Sequence, residues 1–210
     1  GPRVFRDGRF RMARHFGEPE VFPFPPPVGR VPVVLAAQDE VATLPRFIPM
    51  RNLDVKIGGN EIERFRKWYQ SGTLRRSRPR GARRFPDTAS PAELDRLLRQ
   101  GTLRDARFGL CVSVTGARGG RRRTVGRCCM FPSLLELWRK GWATTPIAFA
   151  AAQAAARFVH RFPVDLSGVY PPEALPAAVR SAVLGDMRRM GCRFEMRMNM
   201  VRRRESNAED

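Results

Sequence analysis

Apolar and polar positions alternate most cleanly towards the end of the chain. Cys192, Phe194, Met196, Met198 and Met200 take every second place, with Arg193, Glu195, Arg197 and Asn199 between them. A period of two puts each set on its own face, which predicts a half-buried antiparallel strand. Val31 to Ala37 is an unbroken apolar run and predicts a short buried strand. Leu53 to Ile57 alternates up to Gly58-Gly59, as a strand with one wet face does. Leu110–Thr115 and Thr124–Met130 flank Gly116-Ala117-Arg118-Gly119-Gly120 and read as a hairpin.

Helical spacing takes over elsewhere. Glu61 to Tyr69 predicts a short helix with Ile62, Phe65 and Tyr69 on one face. In Ser90-Pro91-Ala92-Glu93, Ser90 caps, Pro91 takes the first turn and Glu93 closes a capping box. Leu94, Leu97 and Leu98 then form a stripe, and Gly101 ends the helix. Thr144-Thr145-Pro146 opens an Ala-rich helix running to about Phe162, apolar enough at its start to predict deep burial. A last helix starts at Glu173 or Ala177 and ends at Met190, with Gly191 beyond it.

Residues Arg3 to Pro27 show neither period. Their end, Phe22-Pro23-Phe24-Pro25-Pro26-Pro27, lacks the amide donors that a helix or a central strand needs. The chain therefore divides into an extended Pro-rich lead-in (1–30), a folded domain (31–201) with an Arg-rich loop at 75–88, and a disordered tail (202–210). The fold class is α/β in the loose sense, or α+β: a mixed, mainly antiparallel sheet with flanking helices.

Composition adds a charge problem to this picture. The 210 residues carry 39 basic and 20 acidic side chains, a formal net charge of +19. Only Lys56, Lys67 and Lys140 among the basic residues are not arginine. Such an excess suits an anionic partner, RNA or an acidic protein, although a bias in composition would produce it too. No apolar run approaches the roughly 18 residues of a spanning helix, so no membrane is implied. Arg3, Arg6, Arg9, Arg11 and Arg14 interrupt any secretory signal, and a first residue other than Met fits a fragment or a trimmed product. Cys111, Cys128, Cys129 and Cys192 lack zinc-site spacing and are too few for a disulfide framework. They read as buried free thiols in a reducing compartment, cytoplasmic or inside an organelle.

Few residues promise chemistry. Gly116 to Gly120 lies on a hairpin, and no G-x-G-x-x-G occurs between a strand and a helix. His15 and His160 read as satisfied or surface histidines rather than general bases. Glu173, after Pro171-Pro172, reads as first-turn charge on a helix. Arg46, in Thr43-Leu44-Pro45-Arg46, stands in a segment that follows a strand, where substrate loops occur; a surface arginine is the plainer reading. Arg75, Arg76, Arg78, Arg80, Arg83 and Arg84 form one basic cluster, Arg121, Arg122 and Arg123 another, and Arg202–Arg204 a third. They could neutralise phosphates, but no aromatic residues interleave them for base stacking.

Seven phrases, taken in order, resemble one family. They are Phe22–Gly29 (FPFPPPVG), Asp39–Arg46 (DEVATLPR), Asn52–Gly59 (NLDVKIGG), Ser90-Pro91, Val112–Gly116 (VSVTG), Ala143–Pro146 (ATTP) and Ser167–Leu175 (SGVYPPEAL). At these spacings, over about Arg3 to Met200, the chain resembles the C-terminal, substrate and dimerisation portion of saccharopine dehydrogenase/reductase-like proteins. The resemblance implies a homodimer and an NAD(P)-dependent oxidoreductase acting on a C–N bond of an amino-acid-derived substrate. It also implies that a Rossmann domain missing from this chain holds NAD(P), so that the chain alone binds none. Arg46 would hold a substrate carboxylate, with Thr43 beside it and Thr144 and Thr145 near the cleft at a helix start. The arginine load departs from the family pattern. It supports an alternative: a non-catalytic, enzyme-derived basic subunit of a large assembly that could contain RNA.

Overall fold

A computed structural model describes residues 1–59, 62–73, 90–102, 105–142, 145–198 and 203–204. The Arg75–Arg84 cluster, Thr144, Arg202 and most of the expected tail lie outside them. The described residues form helices and three antiparallel sheets, a mixed α/β architecture.

The N-terminal segment is more regular than its sequence suggests. Strands β1 (Arg3–Arg6) and β2 (Arg9–Met12) form a hairpin, and β3 (Glu20–Pro23) pairs with β4 (Arg30–Leu35). The β1–β2 turn is Asp7-Gly8, both with positive φ (51° and 75°), the turn that matches strand twist. β3 can contain Pro23 because it is the last residue of its strand. β5 (Lys56–Gly58) adds to the far side of β4, and Arg203–Arg204 pair with β3. The sheet is thus ordered β5-β4-β3 and then the 203–204 strand, β9. The stretch Leu53 to Ile57 supplies only part of a strand: Leu53 bridges to Phe5 instead.

Helix α1 (Glu40–Phe47) occupies the segment read as a loop, with Pro45 inside it. Pro45 lowers any helical expectation; it sits in the last turn, and the helix ends two residues later with Ile48 as its C-cap. Helix α2 (Ile62–Gln70) follows its prediction, although Phe65 is exposed and meets Trp68 edge to face (5.6 Å). Helix α3 (Pro91–Arg99) starts as expected, Ser90 Oγ accepting from Glu93 N–H. Glu93 does not complete a capping box there; its carboxylate turns to Arg96. The reciprocal box instead opens α4 (Leu134–Arg139), where Ser133 Oγ accepts from Glu136 N–H and Glu136 accepts from Ser133 N–H.

The hairpin of the second half is longer and tighter than predicted. β6 (Gly109–Arg118) pairs with β7 (Arg121–Met130) over ten residues each, closed by Gly119-Gly120 at positive φ. β8 (Arg193–Met198) joins the other side of β7 antiparallel, as its alternation predicts. One face of this sheet, at the Cys129 and Phe194 end, packs on α5 (Pro146–Arg161) and α6 (Ala177–Arg189). Cys129, Leu137, Phe149, Val183, Met187 and Cys192 form that core.

Helix α5 lies less deep than predicted. Phe149 and Ala150 are buried, while Ile147 and Val159 face outward, so an Ala-rich sequence hides a one-sided helix. Glu173 belongs to a separate 3₁₀ turn (Pro172–Ala174), and α6 begins at Ala177. The cysteines also depart from their reading. Cys111 and Cys128 face each other across β6 and β7 and form a disulfide. Cys129 and Cys192 are free and buried. Their mutual hydrogen bond, and then burial, push the Cys129 thiol above its ordinary value.

Asp186 anchors α6 to the end of α5. Its carboxylate accepts two 3.2 Å hydrogen bonds from Arg161 and one from Arg189. The Arg161 hydrogen bond is the main cause of its depressed pKa. A depressed carboxylate stabilises the fold above its unfolded value of about 3.9 and loses that contribution as pH falls through its lower folded value. Asp186→Asn is therefore expected to lower the melting temperature near neutral pH. The gap to wild type should close below about pH 4; parallel curves down to strongly acid pH would contradict this.

Candidate functional site

The loop from Ala13 to Pro19, Leu35 and one side of α2 line a half-open cleft of about 640 Å³. That volume lies in the ordinary range of small-molecule sites. The loop is pinned by two backbone hydrogen bonds, Gly17 N–H to Arg14 C=O (3.1 Å) and Leu35 N–H to Gly17 C=O (3.0 Å). Between these anchors Phe16 and Glu18 sit at φ 57° and 47°. Side chains other than glycine rarely adopt such values, and strain of this kind clusters at ligand clamps.

The left-handed turn delivers Phe16 against Tyr69 (5.6 Å between rings), and the His15 ring also meets Tyr69 in a tilted contact (4.7 Å). Arg66, one turn before Gln70 on α2, lays its guanidinium over Phe16 at 5.9 Å. Its Nη1 reaches Glu63 at 3.4 Å, while its Nε is buried with no hydrogen-bond partner. A buried donor without an acceptor is rare and suits an incoming acceptor atom.

Glu18 also lines the cleft and is held in place. Arg6 donates to Glu18 (2.9 Å) and to Asp54 (2.7 Å). Lys56 lies 3.1 Å from Glu20 and 3.9 Å from Glu18. Burial works against the Arg6 charge, but its hydrogen bonds to Asp54 and Glu18 outweigh it and raise its pKa. The cleft thus offers aromatic rings, the Arg66 guanidinium and the Glu18 carboxylate, with Arg14 also among its lining residues. No group of three metal-ligating side chains exists among the described residues.

No protein-family model matches this chain, and no curated protein matches it.

The residues singled out from sequence fall elsewhere. Thr43 and Arg46 lie on α1, three residues apart and so on one helix face, with Arg46 exposed in the last turn. Thr145 is the N-cap of α5, its Oγ1 accepting from Ala148 N–H at 3.2 Å. Helix α1 packs against β1 and the 3₁₀ turn, whereas α5 packs against α6 and α4. Thr144, Arg75, Arg76, Arg78, Arg80, Arg83 and Arg84 lie outside the described residues. Arg121, Arg122 and Arg123 are exposed at the start of β7, without an ion pair to any described residue. The cleft itself escaped sequence reading. Its available signal was the Ile62, Arg66, Tyr69 spacing, which puts an arginine on the buried face of α2.

Proposed function

We propose that this chain is the substrate-holding portion of an NAD(P)-dependent oxidoreductase of the saccharopine dehydrogenase-like kind, acting on a C–N bond of an amino-acid-derived substrate. The observation that carries the reading is the shared order of the seven sequence phrases from Phe22 to Leu175. The Arg66 guanidinium supports it, since it lines the cleft with a buried Nε that lacks an acceptor and can meet a carboxylate. The substrate carboxylate could lie at this cleft or at Arg46. NAD(P) does not fit the described residues: Gly119-Gly120 closes a hairpin with no helix behind it to receive a pyrophosphate. The dinucleotide belongs to a separate Rossmann domain, and this chain's task is to bind and orient the substrate.

Calorimetry with an N-(carboxyalkyl) amino acid tests the binding half of this reading. We expect saturable binding that falls about tenfold or more, at least 1.4 kcal/mol, in Arg66→Met. Loss in Arg46→Met with Arg66→Met unchanged would move the carboxylate site to α1. Failure of the full polypeptide to reduce either nicotinamide dinucleotide with a panel of such substrates would sink the oxidoreductase reading.

One observation favours a second reading. Arg121, Arg122 and Arg123 are exposed and without acidic partners among the described residues, as suits a non-catalytic basic subunit of an assembly containing RNA. Negligible affinity for unrelated RNA at low salt would remove it.

A further inference from the structure

Strand β6 is the outer strand of the β6-β7-β8 sheet, and no described strand pairs with its free side. From Gly109 to Ala117 it contains no charged residue and no proline, and Asp and Glu are absent from the whole hairpin through Met130. Proteins protect such edges with charged side chains, proline, bulges or short length, and β6 uses none of these from Gly109 to Ala117. An unprotected edge of this length is a template for another strand.

The register specifies which strand. Cys111 and Cys128 have Cα atoms 4.0 Å apart, the close approach of a pair that exchanges no backbone hydrogen bonds. Cys111, Ser113, Thr115 and Ala117 therefore turn their N–H and C=O groups away from β7, towards the open side. On one face of the sheet Leu110, Val112, Val114, Val125 and Met196 are neighbours by register, and each is 38% to 64% exposed. An added strand would lay alternate apolar side chains along this row.

At the far end of β6 the chemistry changes. Arg123 lies across from Gly116 and Arg122 across from Ala117, on opposite faces of the hairpin. A Cβ built on Gly116 would meet nothing within 4 Å, and Ala117 offers only a methyl group. Strands lie about 4.8 Å apart, so both guanidiniums can reach over β6 to the next strand. Neither has an acidic partner among the described residues.

We propose that the free edge of β6 binds an extended segment of a partner protein that pairs antiparallel to it, apolar at alternate positions and acidic at its N-terminal end. Backbone hydrogen bonds to the outward groups of β6 provide the attachment. The apolar row and the Arg122 and Arg123 pair provide the direction and the register. The acidic end meets the arginines because antiparallel pairing sets the partner's N-terminus beside the C-terminal end of β6. This site is separate from the cleft and stands apart from the oxidoreductase reading.

The test uses the full chain and a fluorescein-labelled peptide, Gly-Glu-Glu-Thr-Val-Thr-Val-Ser-Leu, followed by anisotropy. A control peptide has Lys in place of both Glu. At low salt the acidic peptide is expected to bind at least about tenfold tighter than the control, with the gap narrowing as salt rises. The double variant Arg122→Glu/Arg123→Glu should invert that preference. Thr115→Pro, which removes an outward amide and leaves the β6–β7 ladder intact, should weaken both peptides by about tenfold or more. Hydrogen exchange on the wild type is independent of any variant's folding: the acidic peptide should slow the amides of Ser113, Thr115 and Ala117. Equal binding of the two peptides, or binding without protection of β6, overturns the proposal. So does a free chain that is dimeric with β6 already protected, which would make the occupant a second copy. Direct binding of duplex RNA or DNA with no binding of either peptide would overturn it in favour of a phosphate backbone.

Discussion

Phe149→Ala is expected to destabilise the protein by about 3–5 kcal/mol. Phe149 is 1% exposed and sits where α5 meets the sheet core, among Leu137, Val183 and Met187. Its ring stacks on Trp142, 5.4 Å between centroids and 2° from parallel. Truncation removes the ring's transfer energy and leaves a void that three separate elements, α4, α5 and α6, cannot close together. For a chain of this size each kcal/mol moves the melting temperature by roughly 2–4 °C, so a fall of about 6–20 °C should appear in a thermal melt. Phe149→Leu keeps most of the volume and should lose less than half as much. A fall of under about 1 kcal/mol in Phe149→Ala would mean that α5 is not docked on this core.

The second large effect concerns charge rather than volume. Lys56 on β5 reaches diagonally across β4 to Glu20 on β3, 3.1 Å away, beside Val33 and Leu35. The two side chains are only 11% and 8% exposed. Removing one partner leaves the other charged, desolvated and alone, which typically costs 3–5 kcal/mol. Lys56→Met is therefore expected to shift the urea midpoint strongly downward. Replacing both, as Lys56→Met with Glu20→Leu, should recover most of the loss, because two apolar chains of similar volume satisfy the site. If the double variant is as unstable as the single one, the pair is doing more than cancelling its own desolvation. Glu18 and Arg6 would then be the partners to examine, since they share the same network.

These two sites differ in how readable they were. The core around Phe149 follows from sequence: a capped Ala-rich helix, a strand of strict alternation at Arg193–Met198, and a hairpin. Periodicity reports which face is buried, and burial of these faces is what makes the core. The ion pair between Lys56 and Glu20 spans three strands whose order no local pattern encodes. The N-terminal strands were hidden for a related reason. Four-residue strands are too short for a period to register, and only Asp7-Gly8 marked their turn. Helix α1 was masked by Pro45, and α4 by its length of six residues. The cleft depends on left-handed backbone at Phe16 and Glu18, which neither residue type favours. The Cys111–Cys128 bond is invisible to spacing because it depends on the register of the hairpin, which places the two opposite each other.

That cross-strand bond alters what a cut in the chain would do. The tip of the hairpin carries Arg121, Arg122 and Arg123 in the open, three adjacent sites for a protease that cleaves after arginine. A break there divides the polypeptide in two. Cys111 lies in the first piece and Cys128 in the second, 17 residues apart along the chain, so the pieces stay tethered. The clipped protein would migrate as one species until a reductant separates it, and its two halves would keep the register that β6 and β7 already share.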